Sequence, residues 1–162
     1  MATEEQKKAR MVKLFNTVIA GMAKGLYDLF GPAAIGIVGP IGEEILEEME
    51  QELGLEIHGE DPESILTEIE RLLVDEYGLM KDCKIELNSA THEVDILVVE
   101  PLLWHAIEEL ESAGIPPLAC VVMMVAEAAL RKRLHRKSKF KGISLDREKR
   151  IVDIDFHMFD ED

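Results

Sequence analysis

The side chains of this 162-residue chain that could bind or transform something are few and scattered. Cysteine and histidine are the usual zinc ligands, and a tetrahedral site wants three or four of them. Cys83, Cys120, His92, His105 and His157, drawn from two cysteines and five histidines, are the candidate pool, with no short paired spacing among them. The pool therefore defines no metal site, and Cys120 and His157 are the ligands to watch if zinc is bound. Asp153, Asp155 and His157 alternate and would share one strand face that could collect a cation. A solvated outer sheet face explains the same alternation without a further assumption. Glu127 and Arg131 stand four apart in the favourable acid-before-base order and read as a structural ion pair. The basic run Arg131, Lys132, Arg133, Arg136, Lys137, Lys139 and Lys141 could grip phosphate or an acidic partner. Part of it would be stabilised by a helix C-terminus, and it could equally meet the acidic 43–76 region of a second subunit. No phosphate loop, G-x-G-x-x-G, H-E-x-x-H or G-x-S-x-G occurs. That absence lowers the prior for catalysis without excluding it, and no catalytic residue or cofactor is assigned.

The stretch that says most about a site is apolar. Pro116 and Pro117 set a helix start, and from Leu118 to Leu130 only Glu127 is charged. A helix with no polar face has to be buried, as the inner wall of a core or a hydrophobic pocket would be. Leu118, Cys120, Val121, Met123 and Met124 are its pocket candidates. Trp104, the one tryptophan, is a candidate floor for an apolar cavity, and Met22 and Ile35 are candidates from the first two helices. Cys120 has a plainer reading as a small hydrophobe packed in a core.

Apolar residues from Met11 to Phe30 recur at three- and four-residue steps, which predicts an amphipathic helix over 3–30 with a role in dimerisation. A second helix is expected over 32–53, kinked near Pro40. A third opens at Asp61 or Pro62 and ends near Gly78. Cys83, Ile85 and Leu87 alternate with polar residues, and Val94 to Val99 supplies a partner strand. A fourth helix covers Leu102 to Ser112, and the buried helix follows. Phe140 to Leu145, a polar turn and Val152 to Met158 form a second hairpin. The predicted fold is α+β: a four-stranded antiparallel sheet from two hairpins, with about five helices packed against it, in one domain over 1–162.

Thirty-three acids against 18 bases give a net charge of -15, which argues against nucleic-acid binding and favours solubility. The balance is uneven: residues 29–80 hold 14 acids and one base, Arg71, whereas residues 131–142 hold seven bases and no acid. Two cysteines are too few for a disulfide framework, so a reduced, cytoplasmic setting is expected. The uncharged runs Leu29 to Gly42 and Ser112 to Ala126 fall short of the roughly 20 apolar residues a membrane span needs. No span is expected.

Several segments together resemble a known family. They are the small-residue segment Gly31 to Gly42, the acidic helix and Asp61 to Tyr77 helix behind it, the hairpin ending Val98-Val99-Glu100-Pro101, and Gly114-Ile115-Pro116-Pro117-Leu118-Ala119-Cys120. In these the chain, over roughly residues 11 to 159, resembles the 4-vinyl reductase domain family. That family is also described as a hydrocarbon-binding domain and is related in fold to the Bet3-type subunits of the TRAPP tethering complex. The resemblance implies a dimeric domain with an apolar cavity for a small hydrophobic molecule. Only Cys120 matches a family cysteine, and the closing hairpin lacks the further cysteines that many members carry there. The leading expectation is non-catalytic or regulatory binding of a lipid, hydrocarbon or tetrapyrrole-like ligand. The alternative is a dimeric interaction scaffold with a filled core, and a tetrapyrrole-modifying enzyme comes third.

Overall fold

Glutamates in a first turn and a threonine before them start the first helix of the computed structural model, which describes residues 1–160. The Thr3 hydroxyl accepts from the Gln6 amide at 3.1 Å while the Gln6 side chain reaches back to the Thr3 amide, a complete capping box. This helix, α1, spans Glu4–Phe30. Gly31 ends it with a positive φ of 58, a conformation glycine adopts without steric cost, and its amide bonds Tyr27 O. A 3-10 turn over Gly31–Ile37 leads into α2, Val38–Glu47, which continues as a π-helical turn over Glu48–Glu52. Pro40 produces no break here. It lies in the first turn of α2, where its missing amide has no intrahelical partner to lose.

α3, Pro62–Arg71, is capped by Asp61, whose carboxylate accepts from the Ser64 amide at 3.0 Å, and it too ends in a π turn, Leu72–Glu76. The strands are β1, Asp82–Asn88, and β2, Glu93–Val99, then β3, Arg136–Asp146, and β4, Ile151–Asp160. Between the hairpins lie α4, Trp104–Ser112, and α5, Val121–Leu134.

The described residues separate into two units. One holds residues 37–101 and 121–160. Its sheet has the order β1-β2-β4-β3 and is antiparallel throughout, so the two predicted hairpins meet through β2 and β4. Val94, Ile96 and Val98 lie level with Phe156, Ile154 and Val152, and all six are buried on one face. α3 and α5 pack in this unit, with α2 against α5. That last contact is backbone on backbone: a Cβ on Gly42 would lie 2.0 Å from the Met124 carbonyl oxygen. The second basic stretch belongs to the sheet, because β3 begins at Arg136 rather than at Phe140. His135 alone separates it from α5, turning the chain with φ 54.

The other unit holds residues 1–36 and 102–120, with α1 packed on α4. Two helix starts differ from expectation. α4 opens at Trp104, not Leu102, and α5 opens at Val121, not Leu118. In the second case the Leu118 amide bonds Pro116 O at 2.7 Å and the Cys120 amide bonds Pro117 O at 3.2 Å. These tight turns over the two prolines delay the helical ladder by three residues, so Cys120 precedes the buried helix instead of lying one turn into it.

The continuous helical run Glu4–Glu52 contains an 18-residue window of mean hydropathy 1.4, long and apolar enough by composition to cross a membrane. Counting uncharged runs missed it, because the window carries charges and still averages apolar.

Candidate functional site

α5 is buried on every side. Val122 to Ala126 and Ala128 to Leu130 all lie inside, Met123 and Met124 among them, and Val121 is half-buried. No amphipathic stripe could achieve this, and the even spread of Val, Met, Ala and Leu around the helix is the cause. Glu127 interrupts the wall with a side chain 15% exposed. Burial pushes its carboxyl above the ordinary glutamate range, while Arg131 and the Ser138 hydroxyl oppose that. The expected Glu127–Arg131 pair is present at 3.3 Å, and Arg131 also reaches Glu43 at 3.2 Å. Gly39 makes room for it: a Cβ there would stand 3.0 Å from the guanidinium.

The basic run meets the acidic helix within one chain. Arg133 pairs with Glu50 at 2.9 Å and Lys132 pairs with the same carboxylate. Burial alone would raise the pKa of Glu50, but the two cations outweigh it and hold the group below the ordinary range. An acidic region of a second subunit is not needed to neutralise these three bases.

In the other unit, Trp104, Leu118 and Cys120 are buried. Ile35 is half-buried, and Met22 lies on the open side of α1. Sequence reasoning missed the polar centre of this unit, Asn16, which is 1% exposed. Its amide donates to Val12 O and Leu102 O, each at 3.0 Å, and its Oδ1 accepts from the Ala106 amide at 3.0 Å. Leu103 offers α4 no side-chain cap, so Asn16 supplies from α1 the acceptor that α4 lacks. A helix preceded by Pro101-Leu102-Leu103, with no Ser, Thr, Asp or Asn to cap it, was the available signal.

His157 lies on the outer face of β4, half-buried, with Asp153 and Asp155 exposed beside it. Asp155 stands opposite Asp95 of β2, and the two carboxyls share a hydrogen bond that, with desolvation and their mutual repulsion, raises the Asp95 pKa. Among the described residues no group of three or more His, Cys, Asp or Glu is placed to hold a metal ion. Clefts of about 600, 410 and 280 Å³ surround α3, and polar side chains such as Glu63, Thr67 and Arg71 line them. Beside the second, Glu70 accepts a hydrogen bond from the Ile85 amide on the edge strand β1, and burial raises its pKa. That contact occupies an edge donor.

A solved structure of trafficking protein particle complex subunit 3 from Naegleria fowleri, covalently bound to palmitic acid, matches with a TM-score of 0.62 at 11% identity. The match covers 94% of this chain and 98% of that one. The fold is Bet3-like. No protein-family model matches the chain, and no curated protein matches it by sequence. The likeness is therefore one of fold, and the 4-vinyl reductase resemblance stands on the sequence segments alone.

Proposed function

We propose that this chain is a homodimeric binding module for a small apolar ligand of the fatty-acyl or hydrocarbon class, acting without catalysis in a reduced cytoplasmic setting. The observation that carries the proposal is the stretch of α5 from Val122 to Leu130: buried but for Glu127, its one polar side chain, it offers an apolar ligand a wall with little to desolvate. The fold neighbour supports the ligand class, since that protein holds a palmitoyl chain covalently. Val121, Met123 and Met124 of α5 are the proposed lining, while Trp104, Leu118, Cys120 and Ile35 belong to the other unit and Met22 lies on the exposed face of α1. The chemistry is selection by shape and apolar area, with zinc and other cofactors outside the proposal.

A second reading has its own support. Gly42 seats α2 directly on the α5 backbone at Met124, which leaves no room for a ligand on that side and favours a filled core serving as an interaction scaffold. Native mass spectrometry of the purified protein, followed by solvent extraction, separates the two. A co-purifying fatty acid or hydrocarbon at one per chain is the expected result. An empty protein that takes up neither palmitate nor a long alkane would leave the scaffold.

A further inference from the structure

The largest apolar residues of α1 face away from the chain that carries them. Asn16, Ala20 and Ala23 point inward, whereas Met11, Phe15, Val18, Met22 and Leu29, on the opposite side, are 47% to 78% exposed. With Gly25 these positions advance by four, three, four, three and four residues, the seam of a helix pair. Leu14 and Phe30 flank the row and are also exposed. At the recorded exposures the seven side chains leave roughly 800 Å² open, about what each partner contributes to a standard interface.

Two glycines indicate what covers the row. Gly21 and Gly25 lie inside a helix, where glycine is a poor choice, and neither is needed by its own chain, since an added Cβ would meet nothing within 4 Å. A membrane surface gains nothing from a missing side chain. A second helix does, because its backbone or a large side chain can approach there.

The geometry points to a second copy of this chain, docked with its α1 antiparallel and Phe15 seated against Gly25 of that copy. In antiparallel helix pairs the two seam positions of the repeat face each other. A two-fold axis at the level of residue 20 then sets Phe15 opposite Gly25, Val18 opposite Met22 and Met11 opposite Leu29, large against small at the tightest point. Gly21 falls beside the axis. Charge favours the same direction: Lys7, Lys8, Arg10 and Lys13 crowd the first half of α1, and a parallel pair would stack them on their own copies. The inference rests on the homodimer reading above and adds its interface and direction.

Light scattering and disulfide trapping on the full chain test it. The parent protein is expected to be a dimer, and Gly25→Leu is expected to raise the dissociation constant at least tenfold while far-UV helicity is kept, because that position is open within the chain. When Phe15→Cys and Gly25→Cys proteins are mixed and oxidised, the expected product is the 15–25 link between different copies. A dimer that yields only 15–15 and 25–25 links overturns the antiparallel direction and leaves the homodimer standing. A dimer that forms no links, or is indifferent to Gly25→Leu, places the interface elsewhere and overturns the inference. A monomer overturns both readings, and if it binds phosphatidylcholine vesicles the row belongs to a membrane.

Discussion

Asn16 shows how much one polar side chain can decide. Its three hydrogen bonds use both ends of its own amide and close the α4 start. Truncation would leave Leu102 O and the buried Ala106 amide without that partner. Asn16→Ala should therefore cost about 1–3 kcal/mol, read as a lowered midpoint in urea with the slope unchanged. A change within about 0.5 kcal/mol, the ordinary range for surface substitutions, would mean that water replaces the side chain. Asn16 escaped the sequence reading because its role depends on α4, 86 positions away. Cys120 was visible as a residue but misplaced by three positions of helix, because the turns over Pro116 and Pro117 are set by their carbonyls and not by proline's general preference for helix starts.

At the scale of elements, what could be read was whatever has a period of its own. Both hairpins were legible from alternation, Val94, Ile96 and Val98 in one and Val152, Ile154 and Phe156 in the other, because a one-residue slip would turn each buried face to solvent. The α1 row was equally plain as a pattern. Spacing alone does not say that the row lies exposed on its own chain, because an exposed stripe repeats as a core stripe does. The outer sheet face carries a prediction of its own. Asp95 and Asp155 are level on neighbouring strands, and the raised Asp95 pKa means the folded sheet holds that proton more tightly than the unfolded chain does. The stability this contributes is full below the unfolded aspartate pKa and is lost as pH rises through the raised value. Asp95→Asn should lack that loss, melting higher than the parent at neutral pH and converging with it in acid. Melting curves from about pH 3 to 7, spanning the usual carboxylate range, check this. A constant gap between the two proteins would show that the pair does not repel.

Across the whole molecule the acid excess sets the terms on which copies meet. Each chain carries a net charge of -15, so two copies repel at long range whatever their contact surfaces offer. The bases best placed to answer acids are already engaged at home, Arg131 with Glu43 and Glu127, and Lys132 and Arg133 with Glu50. An interface built from the apolar α1 row has little charge of its own to screen, whereas one built by setting the basic run on an acidic region of the other copy depends on it. Salt shortens the range of both effects, from about 30 Å at 0.01 M to about 10 Å at 0.1 M, but with opposite outcomes. For the α1 row, screening removes repulsion and leaves apolar burial intact, so dimer affinity should rise as sodium chloride is raised from about 0.01 to 0.1 M, the span of that change in screening length. For an acid–base interface it should fall. Sedimentation equilibrium across that series distinguishes them, and an affinity that weakens with salt would move the contact from α1 to the charged surfaces of α2 and β3.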